Sequence, residues 1–160
     1  MHFAYILLGS NLGDRETQLQ TATQAISSLG NIIRYSSVYE TAAWGLENQA
    51  DFLNQVLLLE TELTALLLLE NLLRIEREMG RERHEKWSAR TIDLDILYFD
   101  DEVLDSEFLK IPHPYLQQRR FTLLPLSEIS PDFLHPVLQK TNRELLETCP
   151  DLLEVKKYKG

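Results

Sequence analysis

The 160 residues predict an α+β fold: one antiparallel sheet of ferredoxin-like β-α-β-β-α-β order with helices packed on it, and a short C-terminal extension. Three observations lead there. An unbroken apolar run, Phe3 to Leu8, is followed by a turn cluster and a helical repeat. Two β-favouring stretches then succeed one another with no helical pattern between them. A second helical repeat leads into a last strand, Ile92 to Phe99. The length suits one domain, read as residues 1–160, and 44% hydrophobic residues can fill its core without disulfides or metal staples.

Phe3 to Leu8 shows no polar alternation, which predicts a central strand covered on both faces. Gly9-Ser10-Asn11-Leu12-Gly13-Asp14 reads as a tight turn with a helix cap; it lacks the Lys-Ser/Thr of a P-loop and the G-x-G-x-x-G spacing. Leu19, Ala22, Ile26 and Leu29 then recur at helical spacing up to Gly30. Period 2 puts Ile33, Tyr35, Ser37 and Tyr39 on one face of a second strand over 32–39, and 52–61 forms the third. Thr64 can cap a helix carrying Leu66, Leu67, Leu69, Leu73 and Met79 that stops at Gly80. In the last strand Ile92, Leu94, Ile96 and Tyr98 alternate with Asp93, Asp95, Leu97 and Phe99. Beyond it Pro112, Pro114, Pro125 and Pro131 divide the chain into short pieces. Thr141-Asn142-Arg143-Glu144 has capping-box spacing, so this part reads as an extension and not a second domain.

With 16 Lys and Arg against 25 Asp and Glu, the net charge of -9 repels polyanions and argues against non-specific nucleic-acid binding. The single cysteine, Cys149, lies among Leu145, Leu146, Pro150 and Leu152 and reads as a small buried hydrophobe in a reducing compartment. No apolar run has the length of a membrane span or the flanks of a signal peptide, so no membrane is expected and a soluble, cytoplasmic monomer is.

Asp93 and Asp95, two apart in a strand, leave the same face with Cα atoms roughly 7 Å apart. Like charges so close are costly unless a cation lies between them, and oxygen donors of this kind suit Mg²⁺ together with substrate phosphates. The spacing alone fits a solvated sheet face equally well. Context sharpens it: Arg74, Arg77, Arg81, Arg83, Lys86 and Arg90 lead into this strand, whereas residues 1–73 hold only Arg15 and Arg34. Cations beside carboxylates in an acidic protein suit a metal-bound polyphosphate, although Glu76, Glu78, Glu82 and Glu85 also allow a salt-bridged helix end. His113, between Pro112 and Pro114, sits on a stiffened backbone that could aim its ring at a phosphate.

Several segments together resemble the 6-hydroxymethyl-7,8-dihydropterin pyrophosphokinase family. Gly80-Arg81-Glu82-Arg83 through Trp87-Ser88-Ala89-Arg90-Thr91-Ile92-Asp93-Leu94-Asp95-Ile96 is similar to the family's G-R-x-R … W-G-P-R-x-I-D-L-D-I signature. Ala4-Tyr5-Ile6 with Gly9-Ser10-Asn11-Leu12-Gly13, Tyr39-Glu40-Thr41 with Phe52-Leu53-Asn54, and Ile111-Pro112-His113-Pro114 followed by Arg119 and Phe121 match in the same order. The resemblance implies pyrophosphate transfer from ATP to the pterin's hydroxymethyl oxygen, releasing AMP, in folate biosynthesis. It implies two Mg²⁺ ions on Asp93 and Asp95, bridging the ATP phosphates and the attacking oxygen. It implies catalytic Arg81 and Arg90 beside those carboxylates. ATP contacts implied are Arg81, Arg83, Trp87, Arg90, Ile96, His113 and Arg119, and pterin contacts are Thr41, Gly45, Phe52, Asn54 and Phe121.

The aromatic residues could stack on a planar ring and Asn54 pair with its amide edge, or Phe52 and Phe121 could be core. Ser88-Ala89, Ala42 and Ala50 stand where the pattern has Gly-Pro, Pro and Pro, so the segments 44–49 and 83–89 are expected to be less stiff. Two other readings compete. A ligand-sensing domain of the same fold would need no paired carboxylates, and a different Mg-dependent transferase would release another leaving group.

Overall fold

A computed structural model describes residues 1–42, 51–80 and 92–159. In chain order the elements are β1 (His2–Ser10), α1 (Arg15–Ile26) with a short 3-10 turn, β2 (Asn31–Tyr35), β3 (Tyr39–Thr41), β4 (Phe52–Thr61), α2 (Ala65–Glu78) and β5 (Asp93–Phe99). There follow a small hairpin of β6 (Leu104–Asp105) and β7 (Lys110–Ile111), then α3 (Arg120–Ile129), α4 (Asn142–Glu147) and β8 (Val155–Lys157). The main sheet is antiparallel, in the order β5-β1-β4-β3-β8, with β2 also paired to β4. It is a mixed α/β architecture with an antiparallel sheet, as expected.

Local chemistry explains the boundaries. Asp14 caps α1 by accepting the Thr17 N–H at 3.1 Å, and Thr64 caps α2 by accepting the Leu67 N–H at 3.3 Å. Gly80 follows α2 at φ +82°, where a side chain would be strained. Gly30 ends the first helical region for a different reason: a Cβ there would collide with the Glu60 carbonyl.

Both faces of the sheet are covered. Ile6, Leu8, Leu57 and Ile96 meet Leu19 and Ile26 of α1 and Leu68 and Leu72 of α2. On the other face Leu7, Val56 and Leu97 meet Leu123 and Leu126 of α3 and Leu145 of α4, with Cys149 buried at the margin. Each such large apolar side chain contributes about 1.5–3 kcal/mol when fully buried. The stretch after β5 is therefore more than an extension: it supplies the whole second layer and, through β8, an edge strand. Its prolines do not prevent this, since Pro125 sits in the short α3 with its ring in the core.

Three side-chain assignments change. The strand expected over 32–39 is two pieces, and an extra residue at Ile33 shifts the β2–β4 register, so Ile32 faces the core while Ile33 and Tyr35 are exposed. On α2 the buried stripe is Ala65, Leu68, Leu72 and Ile75, whereas Leu66 and Leu67 are exposed; four consecutive leucines hide which face turns inward. On β5 the pairing to β1 slips by one residue at Leu97. Leu97 and Tyr98 both lie in the second core and Phe99 returns to the first, contrary to strict alternation.

Candidate active site

The sheet's polar residues gather at one end of the face that α3 covers. Asp93, Gly9, Asn54 and Tyr39 stand in one register row across β5, β1, β4 and β3. Asp95 follows opposite Leu7, a residue of the second core, so both aspartates leave β5 on that face, half-buried. Gly9 makes the row possible. A Cβ there would lie 2.7 Å from Asn54 Nδ2 and 3.8 Å from Phe52 Cδ1, so these two side chains reach across the bare glycine backbone. Asn54, 4% exposed, donates to the Leu8 carbonyl at 3.3 Å. Thr41 pairs with Phe52 at the last rung of the β3–β4 ladder. It is buried, and its hydroxyl oxygen has no hydrogen-bond partner among the described residues, which fits a place where a polar ligand atom would bind.

Among the described residues, the cationic side of the site comes from the chain after β7. The bulge at Leu97 turns its carbonyl to accept the His113 N–H at 2.9 Å, just past the cis Ile111–Pro112 peptide. The imidazole Nδ1 accepts the Tyr115 N–H at 3.2 Å. Burial, and after it the charge of Arg119, push the ring's pKa down to about 4 against the opposing pull of Asp93. The neutral ring, with Nδ1 occupied as an acceptor, carries its proton on Nε2 and keeps it to donate. Arg119 lies 5.2 Å from the Tyr115 ring centroid and 5.6 Å from that of Phe121, a cation held between two aromatic rings. The fold thus brings together Asp93, His113, Arg119 and Phe121, and beside them Asp95, Asn54, Phe52 and Thr41.

Other expected residues stand apart. The Ile96 side chain is 4% exposed in the first core, so a nucleotide contact there would run through its main chain. Gly45, Arg81, Arg83, Trp87 and Arg90 lie outside the described residues. One further group able to hold a metal, His2, Asp100 and Glu102, sits at the opposite end of β1 and β5, where His2 Nδ1 and Asp100 Oδ2 are already 2.6 Å apart.

Sequence reading missed Glu76. On α2, 3% exposed, it accepts the N–H of Leu94, the residue between the two aspartates, at 2.7 Å. Among alternating Glu and Arg it reads as a surface charge. The usable signal is its position four residues after Leu72 and eight after Leu68, on the stripe that faces the core.

The family model for 7,8-dihydro-6-hydroxymethylpterin-pyrophosphokinase (HPPK) matches residues 5–131. The chain belongs to this family. It is 43% identical over 144 residues to the 2-amino-4-hydroxy-6-hydroxymethyldihydropteridine pyrophosphokinase of Aquifex aeolicus, covering 90% of each chain. It is 45% identical over 135 residues to the enzyme of the same name from Haemophilus influenzae, covering 83% of this chain and 84% of that one. Among solved structures, wild-type Plasmodium falciparum HPPK-DHPS with pteroate shares the fold at a TM-score of 0.74 and 20% identity, over 91% of this chain and 42% of that one. The HPPK match includes every described site residue named above, while α4 and β8 fall beyond it.

Proposed function

We propose that the polar end of this sheet is where the chain, a pyrophosphokinase of folate biosynthesis, transfers the pyrophosphoryl group of ATP to the hydroxymethyl oxygen of 6-hydroxymethyl-7,8-dihydropterin and releases AMP. The observation that carries this reading is the meeting, on one sheet end, of paired carboxylates, a neutral histidine, a ring-held arginine and the buried polar side chains of Asn54 and Thr41.

Asp93 and Asp95 fit magnesium by the chemistry of their donors: two half-buried carboxylates on one face, Asp93 beside a residue with no side chain. Two bound Mg²⁺ would neutralise triphosphate charge and make the attacking hydroxyl more acidic. The neutral His113 donates Nε2–H to a phosphate oxygen, and Arg119 adds a charge-assisted contact. Arg81, Arg83 and Arg90 complete the cationic lining, with Trp87 and the Ile96 main chain at the nucleotide. On the other side the pterin ring stacks on Phe52 and Phe121. The Asn54 amide and Thr41 hydroxyl read its polar edge, and Gly45 is assigned to the pterin as well. The residues thus hold donor and acceptor in line and exclude water, which is most of what phosphoryl-type transfer asks of a protein.

The strand order supports a ferredoxin-like plan to which β8 and the α3–α4 layer are added. The same reading takes the chain as a single catalytic domain, acting as a cytoplasmic monomer on small molecules. Two cores sharing one sheet support the single domain, and no described helix is long and apolar enough to cross a membrane.

Phosphorus NMR of the protein mixed with MgATP and the reduced pterin tests the reaction. AMP and a pterin diphosphate are expected; intact ATP, with the fold verified, overturns the reading.

A further inference from the structure

The ladder between β3 and β4 ends at the Thr41–Phe52 pair, the two residues assigned to the pterin. A terminal rung is where strand ends fray, because nothing further along fixes their separation. Here a third element crosses behind it. Arg15, first residue of α1, donates from one nitrogen, Nη1, to Glu40 Oε2 at 2.8 Å and to the Asp51 carbonyl at 2.7 Å. Glu40 precedes Thr41 and Asp51 precedes Phe52. Glu40 pairs with Leu53, a residue of the first core, so its side chain leaves the sheet on the α1 side while Thr41 and Phe52 face the other way. The guanidinium is covered by the Tyr158 ring, 5.6 Å to its centroid, and Tyr158 is itself tied to the residue before β3 by its N–H to the Val38 carbonyl at 2.8 Å. Both charged partners are about one-fifth exposed, less open to water than an ordinary surface pair.

We infer that Arg15 is a positioning residue for the pterin pocket: from the back of the sheet it ties the residues next to Thr41 and Phe52 together and sets the width of the pocket's outer wall. Arg15 touches no substrate. Its two bonds go to the neighbours of Thr41 and Phe52 and neither goes to a neighbour of His113 or Arg119, so its effect falls on pterin and not on ATP. The inference rests on the assignment of Thr41 and Phe52 to the pterin, and the test separates the two.

Steady-state kinetics on the full chain, varying pterin and ATP in turn, are compared for Arg15→Met, Arg15→Lys and Phe52→Ala, each with a thermal melt. Loss of a charge-assisted bond pair behind the wall raises the pterin KM about tenfold in Arg15→Met and leaves the ATP KM within about twofold. Because both bonds come from one nitrogen, a lysine ammonium can replace much of it, so Arg15→Lys restores most of the pterin KM. An unchanged pterin KM in Arg15→Met, or equal rises in both KM values, overturns the inference. If Phe52→Ala leaves the pterin KM unchanged, the pocket assignment fails with it; if Phe52→Ala raises it and Arg15→Met does not, only the role of Arg15 falls.

Discussion

One sheet carries two unlike faces. Toward α1 and α2 the contacts are aliphatic side chains with Phe99, and the one buried charge among the α2 residues, Glu76, is bound to a backbone amide. Toward α3 and α4 the core holds Tyr5, Tyr98 and Cys149. Asn142 there accepts from the Tyr98 hydroxyl at 2.8 Å and donates to the Ser130 carbonyl at 2.8 Å. The difference is a division of labour. The first face is held by non-directional burial, which tolerates no polar group without a partner. The second is held in part by directional bonds, and that lets it end in a row of polar side chains without a break in the fold.

Substitutions on the two faces should therefore separate activity from stability. The largest effect is expected at the polar end. Asp93→Asn or Asp95→Asn lowers turnover about 100-fold or more, while the thermal midpoint holds or rises because two like charges no longer face each other. Kinetics beside a circular-dichroism melt check this; near wild-type turnover in either variant breaks the comparison. On the first face Leu72→Ala should show the reverse, a loss of about 2–5 kcal/mol in urea unfolding with the kcat of the folded fraction unchanged.

Acid should weaken the second face. Burial pushes both His113 and His135 below the ordinary histidine range, His113 to about 4. Unfolded histidine takes up its proton near pH 6.5 and the folded His113 only near 4, so between those values the unfolded chain binds more protons. Stability is complete above about pH 6.5 and is lost as pH falls through that window. The urea midpoint should drop between about pH 7.5 and about pH 5.5, and drop less in a His113→Gln/His135→Gln variant. The smallest effect belongs to the helix cap on the first face: Thr64→Ala costs about 1 kcal/mol, read as a shift in urea midpoint with turnover unaltered.

How much of this is legible beforehand follows from the same contrast. β1 and β4 are legible because long apolar runs between turn clusters have few alternatives, and α1 because Leu19, Ala22 and Ile26 keep helical spacing to the end. Asp93 and Asp95 stand out because charge is costly inside an apolar strand. The slips at Ile33 and Leu97 leave no trace, because Ile32 and Ile33 are alike and every residue from Ile96 to Phe99 is apolar, so a period-2 count runs through either one unbroken. The second layer is hidden for another reason. Six prolines and a six-residue helix resemble a loop-rich tail until the sheet's other face is known to need covering. Glu76 is invisible because it lies in a charged run, and only its contact with Leu94 distinguishes it.

The extra residue in β5 has one more consequence. A strand presents its side chains in two phases, and Leu97 is where β5 changes phase. Asp93 and Asp95 on one side of it, and Tyr98 and Phe99 on the other, are thereby set independently: the carboxylates can face the α3 side while Phe99 still fills the first core. Deleting Leu97 would leave these faces as they are, because Tyr98 and Ile96 would then alternate directly. Keeping all seven residues but pairing them without the bulge would not: with Phe99 held in its place, the phase of everything before Tyr98 would invert, turning both carboxylates into the aliphatic core and Leu94 and Ile96 out to the opposite face.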